Sequence, residues 1–349
     1  MLTRTQIEAR DQATAGSPED KSRYMMTLHL PHRNFDAVER EVRTCMVAGT
    51  GLAIILVVGP PGVGKTTFGR YRLRQLLRSY AVPIRENAGF IPAVMVDLDV
   101  AEKNREVNWA LLYSRLCSAL LAPSPLDGYT VERVDQEPYD VFRNGKLMLE
   151  AALKNRGLQH LILDEVVYLT KSSTDPFYYG ELLKSLSNRS GFNLLLLGAY
   201  GSEELSVASG PLARRTIVIQ YPRYKETDDD YREYCTFVAG LLPLLPYRFE
   251  VDIEKHVEYL FTACIGLPGL TVDVIKEACS RCDENRRADW DEKYLFKSMP
   301  SKEAHKKLLT DTLIGERNIE DYLRREAIQG YMSEKDVKTQ LEVLRENLK

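Results

Sequence analysis

Residues 59–66 read Gly59-Pro60-Pro61-Gly62-Val63-Gly64-Lys65-Thr66, which fits the pattern G-x-x-x-x-G-K-[ST]. The apolar, β-branched run at 53–58 precedes this turn and predicts a buried parallel strand. Residues 66–78 follow with helical spacing and no proline. Glycines let successive backbone N–H groups face a phosphate, and the start of a helix adds a favourable dipole. The order strand, glycine turn, helix therefore predicts a phosphate-binding turn in an α/β fold.

The residues expected around a bound triphosphate are those of the turn and the start of its helix: Gly59, Pro60, Pro61, Gly62, Val63, Gly64, Lys65, Thr66 and Thr67. We expect the Lys65 ammonium to reach the β- and γ-phosphates, which makes it a binding and a catalytic residue. The Thr66 hydroxyl is expected to ligate Mg²⁺. The pattern thus implies ATP and Mg²⁺ as ligands.

A second stretch, His-Leu-Ile-Leu-Asp-Glu at 160–165, predicts a mostly apolar strand that ends in two acids. Asp164 is expected to hold the Mg²⁺ shell, and Glu165 to orient and polarise the attacking water. A buried strand that merely ends at a solvent-facing acidic pair would produce the same letters. The glycine turn about a hundred residues upstream favours the functional interpretation.

Bulk properties narrow the class of protein. A hydrophobic share of 44% and a charged share of 28% are ordinary for a soluble globular protein. The net charge of -3 means that any nucleic-acid surface must be a local patch. No apolar run reaches transmembrane length and the N-terminus lacks a signal-type segment, so we expect a cytoplasmic protein without a membrane partner. Cys279 and Cys282 form a single C-x-x-C, for which two thiols one helical turn apart is the simplest interpretation.

The remaining chain continues the α/β alternation. Further strands are predicted at 91–98, 192–198 and 216–220, with helices at 35–47, 107–121, 138–155 and 172–187. Residues 1–30 are expected to form a loosely ordered arm with a short helix near Thr5–Ala13. His32 and Arg33 either lie beside a nucleotide base or serve only as helix-entry residues. Helices are predicted at 228–243, 252–264 and 270–283, and from about 300 a charged stretch keeps a helical apolar period.

Five strands with intervening helices, both phosphate-site motifs, a paired arginine before the fifth strand and a helical tail resemble the AAA+ P-loop ATPases. The resemblance implies an α/β fold with a five-stranded parallel sheet sandwiched by helices, a small helical lid and a C-terminal helical extension. The implied domains are an N-terminal arm at 1–30, the nucleotide-binding domain at 31–225, the lid at 226–290 and a partner-binding extension at 291–349.

The layout, the length and the lid entry at 266–270 are similar to the TnsC/TniB/MuB group, transposon-encoded regulators that choose target DNA and activate a transposase. The resemblance places Arg214 or Arg215 where these proteins carry an arginine that reaches a neighbour's nucleotide, which requires head-to-tail subunits in a ring or filament. A solvated basic pair is the alternative.

The resemblance also gives a candidate DNA contact. Lys103, Asn104 and Arg105, after the second strand, match a loop that binds DNA phosphates without sequence preference. A plain surface loop is equally consistent. Arg70, Arg74 and Arg78 also share one helical face, and most such rows are solvated.

The resemblance therefore predicts that this chain is an ATP-dependent regulator of DNA transposition. It would oligomerise on duplex target DNA and link a transposase to a target-selection protein. Two features depart from the family pattern. The first is that no polar residue to sense the γ-phosphate is evident at 198–200, unless Tyr200 or Ser202 replaces it. The second is that the lid entry lacks an arginine. Two alternatives therefore stay open: a helicase-loader-like remodeller of another DNA machine, and a scaffold that binds ATP and hydrolyses it slowly.

Overall fold

Five parallel strands form the centre of the computed structural model: β1 Ile54–Val58, β2 Ala93–Asp97, β3 His160–Asp164, β4 Asn193–Gly198 and β5 Thr216–Gln220. Their spatial order is β2-β3-β4-β1-β5. The structure describes residues 4–28, 30–46, 54–98, 109–122, 138–171, 177–179, 183, 191–284 and 289–323. All five sequence-predicted strands are confirmed, as is the α/β fold with one parallel sheet.

The helices of the described residues are, in chain order, α1 Arg4–Ala15, α2 Pro18–Thr27, α3 Arg33–Cys45, α4 Lys65–Ser79, α5 Ala81–Glu86, α6 Trp109–Ala119, α7 Pro138–Arg156, α8 Tyr168–Lys171, α9 Glu204–Val207, α10 Gly210–Arg215, α11 Asp228–Leu241, α12 Val257–Ala263, α13 Pro268–Glu284, α14 Lys293–Ser298 and α15 Lys302–Ile319. Most of the predicted helix at 172–187 lies outside the described residues. No helix in the described ranges is both long and apolar enough to cross a membrane.

Strand pairing brings the two sequence motifs to one edge of the sheet. Val58 is level with Gly198 in the β1–β4 pair, and Leu163 with Leu196 in the β3–β4 pair. Because the strands are parallel, the turn after β1 and the acids that end β3 leave the same edge, separated only by β4. Ligands of open α/β sheets gather at this carboxyl edge.

The strands are apolar on both sides because both faces of the sheet are covered. All five residues of β1 are buried. Helices α3 and α4 cover one face with Phe35 and Phe68, while α6 and α7 cover the other with Leu116 and Leu153. Helix α4 lies so close to the sheet that a Cβ on Gly69 would be 2.6 Å from the Leu197 side chain. The phosphate-turn helix is therefore held rigidly against the sheet.

Helices α11 to α14 pack around a core of their own, and we call residues 228–298 the helical cluster. Tyr234, Phe237, Ile275 and Leu295 are buried in that core. Thr227 caps α11, since its side chain accepts a hydrogen bond from the Asp230 N–H group. The cluster follows β5 directly, so it begins at the carboxyl edge of the sheet.

The short helix expected near residues 5–13 is present as α1, but the expectation that the rest of the arm is loosely ordered is wrong over residues 4–28. Helices α1 and α2 are present, and a capping box between Ser17 and Asp20 starts α2. Met25 is buried in the core of the helical cluster, and Lys21 Nζ lies 2.6 Å from Asp283 Oδ2. These contacts are distant in sequence, so local composition did not reveal them.

Helix α15 packs against the sheet and not away from it. Ile319 is fully buried in the core of the α/β domain, and a Cβ on Gly315 would be 2.2 Å from the Tyr200 ring. The buried Arg223 side chain donates from Nε to Glu316 Oε1 at 3.0 Å. The part of the extension at 302–319 is thus a fixed element of the fold, and residues 324–349 lie outside the described chain.

His160, the first residue of β3, makes stability depend on pH. Its side chain is buried, Nδ1 has no hydrogen-bond partner, and Nε2 lies 3.3 Å from the Tyr80 hydroxyl. Burial lowers the pKa of His160 from 6.5 to about 4, and Arg72 adds to this effect. A lowered folded-state pKa contributes stability above pH 6.5 that is lost as pH falls through 4. We expect His160→Phe to lessen the acid loss of unfolding free energy between pH 6.5 and 4 by about 3 kcal/mol.

Denaturant unfolding of the parent and of His160→Phe at pH 7, 5.5 and 4 measures this effect. His305→Phe is the matched control, because His305 lies on α15 and its Nε2 is 2.9 Å from the Thr262 carbonyl oxygen. An identical pH dependence in the parent and His160→Phe would contradict the prediction.

Candidate nucleotide-binding site

The phosphate turn depends on glycine backbone geometry at two positions. Gly62 has φ 81° and Gly64 has φ 108°, which side-chain-bearing residues rarely adopt. Gly64 is the N-cap of α4, so the helix begins at Lys65. A Cβ on Gly59 would lie 2.4 Å from the Tyr221 carbonyl oxygen. The turn therefore curls tightly around the start of a helix, as anion binding requires.

Lys65 points back over the turn. Its Nζ donates to the carbonyl oxygens of Gly59 and Pro60, each at 2.9 Å. Removal from water lowers the pKa of Lys65 to about 8, although the negative charges of Glu165 and Asp164 act to raise it. An anion bound in the turn would place negative charge beside the Lys65 ammonium and so favour its charged form.

The two acids after β3 have different environments. Asp164 is buried, and its Oδ1 accepts a hydrogen bond from the Glu165 N–H group at 2.9 Å. Glu165 is exposed and has φ 57°, a left-handed conformation uncommon outside glycine. Val166 then donates to the Leu197 carbonyl oxygen at 3.0 Å, which pins the chain back to β4. This geometry turns the Glu165 side chain out of the sheet and into the neighbouring cavity.

One cavity of about 460 Å³ joins these groups. Residues 61–67 and Glu165 line its polar end. Apolar side chains also line the cavity, namely Met25, Leu28, Leu30, Phe35, Phe237 and Leu241. Polar and apolar lining together, in this size range, suit a nucleotide with its phosphates in the turn and its base against apolar side chains.

The helical cluster touches the phosphate turn directly. Leu270 donates its N–H to the Gly62 carbonyl oxygen at 3.0 Å, and a Cβ on Gly269 would lie 2.5 Å from that oxygen. Farther along α13, Asp273 and Lys276 line the cavity. Sequence reasoning missed Lys276 as a site residue. The spacing 269, 273, 276 along one face of a helix was the available signal.

His32 belongs to the cavity, whereas Arg33 faces the helical cluster. The His32 ring lies between two tyrosine hydroxyls, with Nδ1 3.0 Å from Tyr224 and Nε2 3.3 Å from Tyr221. Arg33 pairs with Asp229, 2.6 Å away, and with Asp230. Both residues are also helix-entry residues, since His32 is the N-cap of α3 and Arg33 is its first residue. A place beside a base stays a prediction, and only His32 of the pair lines the cavity.

The end of β4 presents an apolar residue to the cavity. Ala199 lines it, whereas Tyr200 and Ser202 are not among its lining residues. The Tyr200 hydroxyl accepts from Gln220 Nε2 at 3.0 Å, and Ser202 is fully buried. Neither residue is placed to act as the polar sensor considered from the sequence.

Arg214 and Arg215 end α10, immediately before β5. Thr216 pairs with Ile54 and Gln220 with Val58, so the arginines lie at the amino edge of the sheet. One strand length, about 16 Å, separates this edge from the phosphate turn. The structure thus brings Lys65, Thr66 and Glu165 to one cavity and leaves this arginine pair apart from it. Lys103, Asn104 and Arg105 lie outside the described residues.

Comparison with known proteins agrees with this geometry. Residues 50–205 match a family model described as an AAA domain. Among curated proteins, none matches this chain.

Among solved structures, the ORC2 protein of Aeropyrum pernix in its ADP form is 19% identical, with a TM-score of 0.51 over 77% of this chain and 68% of that one. The same protein in ADPNP-ADP complexes is 16% identical, with a TM-score of 0.50 over 76% of this chain. This chain spans 66% of that protein's length, just under two thirds. CDC6P from Pyrobaculum aerophilum is 15% identical, with a TM-score of 0.52 over 84% of this chain and 71% of that one. At these identities the likeness concerns the fold.

Proposed function

We propose, on the premise that this chain carries an AAA+ P-loop ATPase domain, that ATP binding and hydrolysis switch its assembly on duplex DNA. The observation that carries the proposal is the shared cavity, in which the phosphate turn, Glu165 and the helical cluster meet. A nucleotide there touches both the α/β domain and the cluster, so its state can change how the two pack. On this proposal the helical cluster is the lid of the nucleotide site.

Each residue of the site has a role in this proposal. Lys65 neutralises phosphate charge, and Lys276 supplies a cation from the lid, of whose described residues no arginine lines the cavity. Thr66 and Asp164 would hold Mg²⁺, because hydroxyl and carboxylate oxygens suit a hard cation that otherwise keeps waters and phosphate oxygens. The ion would neutralise charge on the phosphates when bound. Glu165 accepts the proton of the attacking water.

The arginine pair fits a role between subunits. Because α10 lies one strand length from its own phosphate turn, Arg214 and Arg215 would serve the nucleotide of a neighbouring copy and not their own. A contact between the amino edge of one subunit and the carboxyl edge of the next is heterologous, and such contacts build rings or filaments. ATP hydrolysis would then require that the subunits are assembled.

For the DNA contact we retain Lys103, Asn104 and Arg105 as a non-specific grip on backbone phosphates. The proposed partners of the assembled form are a transposase and a target-selection protein, on the strength of the sequence resemblance to transposon regulators. A loader of another DNA machine is the second candidate, favoured by the fold shared with the ORC2 and CDC6P structures. A slow-hydrolysing scaffold is the third, favoured by the apolar Ala199 at the cavity. The genes beside this one separate the first two candidates. A neighbouring transposase gene would favour the transposition regulator, and neighbouring replication genes would favour the loader.

Assembly on DNA tests the switch. We expect oligomers on duplex DNA with ATP and with a slowly hydrolysed analogue, and their loss with ADP, by electron microscopy and band-shift titration. Lys65→Ala should fail to assemble with any nucleotide, since the phosphate charge is no longer neutralised. Equal assembly in all three nucleotide states would overturn the proposal.

A further inference from the structure

Helix α4 carries a row of three arginines without partners. Arg70, Arg74 and Arg78 are four residues apart, so each is about 6 Å farther along the helix than the last. Within the described ranges, none of them makes an ion pair or a hydrogen bond. Arg72, on another face of the same helix, is engaged with Glu39 at 2.7 Å. Three unpaired guanidinium groups in one line form a local concentration of positive charge.

Arg74 and Arg78 of this row also lie on one wall of a groove. Helices α1 and α2 form the other wall, and the space between holds about 400 Å³. Tyr24, Tyr71, Arg74 and Arg78 line it, and no Asp or Glu is among the lining residues. Three of the carboxylates of α1 and α2 pair with arginines of their own helix, in the pairs Arg4–Glu8, Arg10–Asp11 and Arg23–Asp20. The positive charge of the groove is therefore not neutralised from across it.

A polar group in the groove also lacks a partner. The Tyr24 hydroxyl is buried and makes no hydrogen bond in the structure. A buried hydroxyl without a partner is costly, and an acceptor oxygen in the groove would satisfy it. Unpaired guanidinium groups, an unpaired hydroxyl donor and two aromatic rings are the groups that proteins use to hold phosphates and nucleotides.

We propose that this groove holds the phosphodiester backbone of nucleic acid. A line of cations spanning about 12 Å from Arg70 to Arg78 fits a chain of phosphates better than a compact anion. The row begins at the nucleotide cavity, which Arg70 lines, and Leu28 lines both the cavity and the groove. The end of α2 and Leu28 would thus lie against both ATP and DNA. The inference rests on the proposed DNA binding and adds Arg74, Arg78 and Tyr24 to the contact residues proposed at 103–105.

The salt dependence of DNA binding tests this assignment. Each phosphate contact contributes a slope of about 0.9 to log K against log salt, so Arg74→Ala/Arg78→Ala should lower the slope by about 1.8. The same difference corresponds to an affinity loss of about 30-fold at 0.15 M salt. Tyr24→Phe should weaken binding about fivefold with an unchanged slope, because only a neutral hydrogen bond is lost. Arg317→Ala is the matched control, since Arg317 is an exposed helical arginine on α15.

Fluorescence anisotropy with a labelled duplex and saturating ATP, after thermal unfolding has shown each variant folded, measures these slopes. If the parent binds DNA and the double variant keeps the parent slope, the groove assignment fails and the proposed function stands. If the parent does not bind DNA at all, both fail. Binding of inorganic triphosphate is also measured in chains that carry Lys65→Ala. If the double variant loses only this binding and keeps the parent binding of DNA, the groove is a small-anion site and the assignment is wrong.

Discussion

Replacing both Arg214 and Arg215 with alanine is expected to slow ATP turnover about 1,000-fold, because charge that develops on the transferred phosphoryl group loses its cation. ATP binding should stay near the parent value, since these residues lie a strand length from their own cavity. Steady-state turnover with duplex DNA and ATP measures the loss. Arg85→Ala, which changes an exposed arginine at the end of α5, is the control and should match the parent.

A mixing experiment shows whether the arginines act between subunits. Glu165→Gln is also expected to lose turnover, by about 100-fold or more, because the water is no longer polarised. In a mixture, the intact cavity of the arginine variant can meet the intact arginines of the Glu165→Gln subunit. At equal amounts about a quarter of the contacts are complete, so the mixture should regain about a quarter of the parent rate. If mixing restores nothing, or if the arginine variant alone keeps parent turnover, the between-subunit arrangement is wrong.

Arg223→Ala is expected to lower the free energy of unfolding by about 3–5 kcal/mol, because it leaves a buried carboxylate without its charge partner. The Arg223 side chain is 1% exposed and Glu316 is 11% exposed. Arg223 Nη1 also donates to the Ile265 carbonyl oxygen at 3.2 Å. This guanidinium joins the end of β5 to helix α15 and to the helical cluster, so its removal loosens three elements at once.

Chemical denaturation of the parent and of Arg223→Ala measures this loss. Arg232→Ala is the control, because Arg232 is 76% exposed and its pair with Asp229 spans 3.9 Å. That exposed pair should contribute no more than about 1 kcal/mol. A double-mutant cycle with Glu316→Ala isolates the buried pair. If Arg223→Ala and Arg232→Ala cost the same, the buried pair does not hold the helical cluster and α15 to the sheet.

Much of the phosphate site could be predicted because its chemistry is local. A glycine turn between a strand and a helix needs glycine at set positions, and the lysine must follow the last glycine directly. The acids at 164–165 can also be predicted from local sequence, because six consecutive residues suffice to show an apolar strand that ends in two acidic side chains. These short-range constraints placed Lys65, Thr66 and Glu165 at one sheet edge before any coordinates.

Residues that meet through the third dimension were not visible in the same way. Asp273 and Lys276 line the nucleotide cavity together with His32, although about 240 residues separate them from it. Only a short helix near residues 5–13 was expected in the N-terminal segment, and α2 and the packing of both helices were missed because the segment carries no strong apolar period. Contacts such as Lys21 with Asp283 at 2.6 Å hold them instead.

The sequence by itself determined the fold class and the chemistry of the phosphate end, because both follow from neighbours within one strand, turn and helix. Only the tertiary structure decided the rest. It showed that the helical cluster touches the turn, that Tyr200 packs on α15 away from the cavity, and that Arg214 and Arg215 stand at the far edge from their own nucleotide site. The physical reason is that burial and strand register combine groups far apart in the chain, and no local pattern encodes which groups those will be.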